Sequence, residues 1–122
     1  MDLNQIELND FVFNLKKIKY KNILQEFTLE YNNDECTYIH LTCIKIKKSQ
    51  RSKGYGSAVM FDLIKLSDFY NVQIRLYATN IFGAELKRLY TFYRKHGLVL
   101  IKNNNDGLFI YRPSKKIIKN TK

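Results

Sequence analysis

The sequence predicts one α/β domain, a mixed sheet carrying two helices, in the order β-β-β-α-β-α-β-β. Three observations carry this expectation. Up to Lys47 the chain reads as short strand-like runs, two segments with helical spacing follow, and Gly- and Asn-rich turns separate the elements. A chain of 122 residues, 45% hydrophobic and 14% aromatic, is long enough for one core and too apolar for disorder.

The strand-like runs are Phe11–Ile18, Ile23–Tyr31 and Thr37–Lys47, with Asn32–Glu35 as the tight connection between the second and third. In the third run Ile39, Leu41 and Cys43 form one apolar face, and the apolar phase then slips by one residue to Ile44 and Ile46. Strand side chains alternate with period two. The slip therefore implies a β-bulge, or a change of buried face where the strand end passes under a helix. A bulge would bend this strand from its neighbour and open a wedge in the sheet. From Ser57 to Tyr70 the pattern turns helical, with Asp62, Lys65 and Asp68 as a narrow polar stripe. The rest of that helix, Phe61 and Phe69 included, is expected to lie largely buried against the sheet. Val72–Thr79 reads as a short strand. Ala84–His96 reads as the second helix, with Leu86, Leu89, Tyr90 and Tyr93 on one face and Gly97 as its stop. Leu98–Lys102 and Leu108–Arg112 then pair across an Asn-rich turn whose Asp106-Gly107 suits positive φ.

Composition narrows the function. No apolar stretch approaches the roughly 20 residues of a membrane-spanning helix. Met1–Gln5 lacks the charged-then-apolar design of a signal peptide, so a reducing cytoplasm is the expected location. Cys36 and Cys43 make no disulfide scaffold and have no zinc-ligand spacing with His40 or His96. The net charge of +10 fits an anionic partner such as nucleic acid. It also fits a biased genome, since Lys, Asn, Ile and Tyr, with A/T-rich codons, fill 50 of the 122 positions. Residues 1–114 form the expected domain, and the basic 115–122 segment beyond Pro113 is expected to be a flexible tail.

The residues with the clearest chemistry are Gln50-Arg51-Ser52-Lys53-Gly54-Tyr55-Gly56-Ser57, between the slipped strand and the first helix. Two glycines allow a sharp turn and a close backbone approach to a ligand. Peptide N–H groups at the positive end of the helix dipole suit a phosphate or pyrophosphate. The stretch is neither a Walker P-loop nor a full dinucleotide fingerprint, and alone it reads more readily as a structural turn than as a ligand site.

Strand, Gln50–Gly56, helix, strand, Asn80, helix and Tyr93-Arg94-Lys95-His96-Gly97-Leu98 together resemble the GNAT family of N-acetyltransferases. The first stretch is similar to the family's Gln/Arg-x-x-Gly-x-Gly/Ala motif, and the second to its Tyr-x-x-x-Gly-Phe ending, with Leu98 in place of Phe. The resemblance covers about residues 23–112. It implies a GNAT-like acyl-CoA N-acyltransferase fold with splayed central strands, and acetyl-CoA as the cofactor. Ile44 and Ile46 would offer backbone groups to the pantetheine arm. Arg51, Ser52, Lys53, Gly54, Tyr55, Gly56 and Ser57 would hold the pyrophosphate, mostly through main-chain amides. Asn80 would hydrogen-bond the cofactor arm, and Tyr93 would be the general acid for the departing thiolate. Read from the residues alone, Tyr93 belongs to the apolar core face of its helix and Asn80 to a helix cap or turn.

The resemblance implies direct attack by a primary amine on the thioester, with no covalent nucleophile. Where many members carry a catalytic Glu this chain has Tyr38. Tyr38, His40 and Thr42 share a strand face and are the candidates to bind the acceptor or relay a proton, with Glu26 or Glu30 acting through water. About ten residues precede Phe11, fewer than the family's N-terminal strand and helix pair require. The acceptor side should then be open, favouring a protein lysine or another macromolecular acceptor, or a second subunit in a homodimer. Small trimmed members of this kind occur in phages and mobile elements. The rival readings are a toxin-like enzyme acetylating aminoacyl-tRNA and a catalytically dead, basic GNAT fold that binds nucleic acid or protein.

Overall fold

The computed structural model describes residues 2–33, 36–78, 86–102 and 107–113. Five strands form one mixed sheet in the order β1-β2-β3-β5-β4: β1 Leu24–Asn32, β2 Tyr38–Ile46, β3 Gln73–Tyr77, β4 Val99–Lys102 and β5 Leu108–Tyr111. The helices are α1 Gln5–Asn14, α2 Tyr55–Tyr70 and α3 Leu86–Lys95. Residues 34–35, in the β1–β2 connection, and the tail 115–122 lie outside the described residues. Among the described residues no helix is long and apolar enough to cross a membrane.

The first expected strand is a correction. Phe11–Ile18 is helical: α1 runs to Asn14 and continues as a π-helical turn over Leu15–Lys19. The order is therefore α-β-β-α-β-α-β-β, with three helices in place of two. Phe11, Phe13 and Leu15 imitate strand alternation, but Phe13 is 59% exposed while Leu8 and Leu15, one heptad apart, are buried. That is helical spacing. The helix start is written in the sequence as well. Asn4 is the N-cap, its side-chain oxygen accepting from the Glu7 amide at 2.9 Å, and Asn4-x-x-Glu7 has capping-box spacing.

All three helices lie on one face of the sheet. Phe11 of α1 meets Phe27 of β1, with ring centroids 6.3 Å apart. The Tyr111 hydroxyl of β5 donates to Asp68 of α2 at 2.8 Å. Tyr90 and Tyr93 of α3 pack on Phe109, with centroids 5.1 and 5.5 Å away. Between helices and sheet lies one core built on Leu8, Phe27, Ile39, Val59, Met60, Leu63, Ile74, Leu76 and Phe109. Burying each such side chain contributes about 1.5–3 kcal/mol.

Helix α2 departs from expectation in its outward face. Phe61 is 59% and Phe69 72% exposed, while the supposed polar stripe is partly turned inward. Partners explain the inversion. Asp62 accepts from the Tyr20 hydroxyl at 2.7 Å and from the Lys19 ammonium at 2.9 Å, and Asp68 accepts from Tyr111. Burial, then the Asp62 hydrogen bond and charge, push the Tyr20 phenol upward in pKa. Val59, Met60, Leu63 and Ser67 take the sheet side, the two satisfied carboxylates lie on the flanks, and Phe61 and Phe69, eight residues apart on one stripe with Lys65 between, face solvent.

The slipped phase of β2 is a bulge. Thr28 stands opposite Cys43 and Leu29 opposite Leu41, which leaves Thr42 as the extra residue. A second shift, between Leu24 and Glu26, places an extra Gln25 on β1. Beside the bulge the central strands part. Strands β2 and β3 run parallel and pair only at Tyr38–Gln73, Ile39–Ile74 and His40–Arg75, although β2 continues to Ile46. Strand β3 meanwhile stays paired with β5 as far as Tyr77–Leu108, and the Ala78 amide donates to the Gly107 carbonyl at 3.0 Å.

Asp62→Ala should lower stability by about 1–3 kcal/mol, because it leaves the buried Tyr20 hydroxyl without its acceptor. Urea denaturation with an unchanged m-value is the measurement; no shift in midpoint would mean that the Lys19–Tyr20–Asp62 cluster does not fasten α1 to α2.

Candidate functional site

The turn before α2 is shaped by backbone conformation. Ser52 has φ +66° and Gly54, the N-cap of α2, has φ +85°. A left-handed residue costs an ordinary L side chain about 1–2 kcal/mol, which is the reason for glycine at 54. A Cβ there would meet nothing within 4 Å, so the turn borders open space. No side chain caps α2, and its first intrahelical bond runs from the Ala58 amide to the Gly54 carbonyl. The amides of Tyr55, Gly56 and Ser57 thus have no partner within the helix and stand at its positive end. At Gly56 a Cβ would meet the Phe92 ring at 3.6 Å, an ordinary van der Waals distance, so α3 packs beside this first turn of α2.

Side chains around the turn are partly engaged. The Arg51 guanidinium donates through Nε to the Ile46 carbonyl at 3.0 Å, tying the turn to the end of β2. Lys53 Nζ lies 3.5 Å from Gln50 Oε1. Ser57 Oγ and His96 Nε2 are 3.2 Å apart, joining the start of α2 to the end of α3. Burial, then the nearby Lys95 charge, lower the His96 pKa below the usual histidine range. Gly97, at φ +90°, ends α3 as expected, with the Leu98 amide donating to the Tyr93 carbonyl at 3.1 Å.

Ile44 and Ile46 are half-buried, with side chains on the core and a backbone edge that β3 does not pair. Tyr93, 8% exposed, approaches the same parted segment from the α3 side. Burial raises its phenol pKa, and the Cys43 thiol on the bulge adds to the rise. The hydroxyl, protonated at neutral pH as any phenol is, is in the state a proton donor needs.

The opposite face of the sheet holds the remaining candidates. His40 occupies the last paired position, at the apex of the split, with Nδ1 3.5 Å from Glu30 Oε1 and its ring edge-on to Tyr77 at 5.9 Å. Tyr38 lies under the Arg75 guanidinium, 4.0 Å from the ring centroid. Sequence reasoning missed Arg75 and Tyr77 as companions of His40. The signal was available: Gln73, Arg75 and Tyr77 alternate with the buried Ile74 and Leu76. Cys43, expected on the apolar face of its strand, is half-buried and close enough to Tyr93 to act on its phenol. Asn80 lies outside the described residues.

The sheet is mixed, and its central strands separate beside a glycine-bearing helix start. No family model and no curated protein matches the sequence, but solved structures do. One is AtaTR with acetyl-CoA bound, 17% identical over 100% of this chain and 88% of that one, with a TM-score of 0.53. A histone acetyltransferase HPA2 and related acetyltransferase from Corynebacterium glutamicum is 16% identical over 85% and 73%, with a TM-score of 0.51. AtaT complexed with acetyl-methionyl-tRNAfMet is 14% identical over 99% and 89%, with a TM-score of 0.50. The chain has the fold of the GNAT acetyltransferases, as the resemblance implied.

The lowered His96 pKa sets a pH dependence. Below about pH 6.5 the unfolded chain protonates at this histidine before the folded chain does. Stability should therefore fall as pH drops from about 6.5 through the lowered folded value, and His96→Gln should flatten that part of the curve. Urea midpoints measured between pH 7.5 and 5 test this; an equal slope in the variant would assign the loss to other groups.

Proposed function

We propose that this chain is an acetyl-CoA-dependent N-acetyltransferase acting on a primary amine, with a protein lysine or another macromolecule as the acceptor. The observation that carries the reading is the parting of β2 from β3 next to the Gly54 turn. Residues present there fit an acyl-CoA. The edge of β2 that β3 leaves unpaired at Ile44 and Ile46, apart from the Ile46 carbonyl that accepts from Arg51, offers backbone partners to an amide-bearing arm. The free amides of Tyr55, Gly56 and Ser57, with Arg51, Ser52 and Lys53 around Gly54, suit a diphosphate. Acetyl-CoA, when bound, supplies the activated acetyl group.

The chain's own part in the reaction is positioning and proton handling. The acceptor amine attacks the thioester carbonyl carbon, a carbon–nitrogen bond forms, and the carbon–sulfur bond breaks. Tyr93, neutral at pH 7 and buried beside the parted strands, gives its hydroxyl proton to the departing sulfur. A backbone N–H beside the Thr42 bulge serves the developing oxyanion, a kind of contact worth about 3–4 kcal/mol. The amine proton leaves toward the open sheet face, where His40, steadied by Glu30, and Tyr38 are the candidate relays. Among the described residues that face carries no helix, which suits a bulky acceptor.

Aminoacyl-tRNA as the acceptor is the second reading. It is favoured by the net charge of +10 and by the fold shared with AtaT, which has been captured with acetyl-methionyl-tRNAfMet.

Acetyl-CoA at 100 times its Kd should add about 2.7 kcal/mol and raise the melting temperature by several degrees. If neither acetyl-CoA nor CoA moves the transition, the enzymatic reading fails. Tyr93→Phe should cut turnover by about 10²–10⁴-fold while retaining the acetyl-CoA-induced shift, and unaltered turnover would remove Tyr93 as the acid. Mass spectrometry of a lysate incubated with labelled acetyl-CoA separates acceptors: label on protein lysines supports the first reading, label on the aminoacyl group of tRNA the second.

A further inference from the structure

The outer edge of β1, one strand away from the candidate site, carries a feature that acetyl transfer does not use. Strand β1 pairs with β2 on one side and, among the described residues, with no strand on the other. Beside that free edge lies a groove of about 290 Å³ between β1 and α1. Phe27, Thr28 and Leu29 form its strand wall; Asn9, Val12, Phe13, Lys16 and Lys17 form its helix wall. Phe13 is 59% exposed there. Lys16 and Lys17 sit on the π-helical turn, and among the described residues neither forms an ion pair. The groove thus combines unpaired backbone, apolar surface and two cations, with no acidic residue in its lining.

We propose that the free edge of β1 and this groove bind an extended acidic peptide segment by strand addition. A peptide paired along Phe27–Leu29 sends alternate side chains into the groove. An apolar residue would rest on Val12 and Phe13, and an acidic residue two positions away would meet Lys16 and Lys17. Charge excludes the nearest alternative occupants. The chain's own C-terminal segment, with Lys115, Lys116, Lys119 and Lys122, has the wrong sign. A second copy joined β1 to β1 would bring two Lys16–Lys17 pairs to one seam. Nucleic acid would satisfy the lysines but would use neither the strand edge nor the apolar wall.

The test uses the full chain and a fluorescein-labelled peptide, Glu-Thr-Val-Thr-Glu-Thr-Val-Thr, followed by anisotropy. Saturable binding is expected with a Kd below about 1 mM. The Lys16→Glu and Lys17→Glu double variant should bind at least tenfold more weakly. A second arm leaves the protein untouched. N-methylating every other peptide residue should abolish binding in one phase and spare it in the other, the signature of pairing along one strand edge. The proposal is overturned by no saturable binding, by equal binding of both N-methylated phases, or by an undiminished double variant. It is also overturned if a polyuridine dodecamer binds tighter through the same lysines, or if the chain sediments as a dimer that Lys16→Glu strengthens.

Discussion

One extra residue governs the architecture. Thr42 has no counterpart on β1, and the β2 backbone bends there to accommodate it. A strand that bends cannot stay hydrogen-bonded to a straight parallel neighbour, so β2 and β3 separate just beyond His40 and Arg75. Most of the candidate site follows from that separation. Peptide groups near Ile44 and Ile46 lose a strand partner. Cys43 is carried toward Tyr93, and the end of β2 is aimed at the turn where Arg51 meets the Ile46 carbonyl.

Much of this was legible in the amino-acid order, because a bulge leaves a mark that period-two alternation makes visible. Ile39, Leu41, Ile44 and Ile46 are all core-facing, which an unbroken strand does not permit. The Gly54 turn and the Gly97 stop were legible because their backbone angles suit few other residues. The first helix was not. Phe11, Phe13 and Leu15 fit period two as well as Leu8 and Leu15 fit a helix, and the deciding signal, Asn4 with Glu7, lay upstream of the misleading stretch. The outer face of α2 was misread for a different reason. Burial of Asp62 and Asp68 depends on Tyr20 and Tyr111, partners more than 40 residues away along the chain, which no local pattern reveals.

The same long-range pairs show how α2 is held. Asp62 binds the segment that leaves the N-terminal helix, Asp68 binds β5, and Ser57 meets His96 at the end of α3. The helix that begins at the glycine turn is therefore fastened at its start, middle and end to three different elements. Such bracing keeps first-turn amides oriented before any ligand arrives, the condition under which fixed dipoles stabilise charge most effectively.

The way β3 ends has a further consequence. It releases β2 yet remains joined to β5 through Tyr77–Leu108 and the Ala78–Gly107 bond. A Cβ at Gly107 would stand 2.7 Å from the Tyr90 hydroxyl and 3.2 Å from the Ala78 carbonyl. One jaw of the cleft is thus clamped while the other belongs to a two-stranded ribbon. Any change in jaw spacing would come from movement of that ribbon, so the width of the cleft is set by β1 and β2.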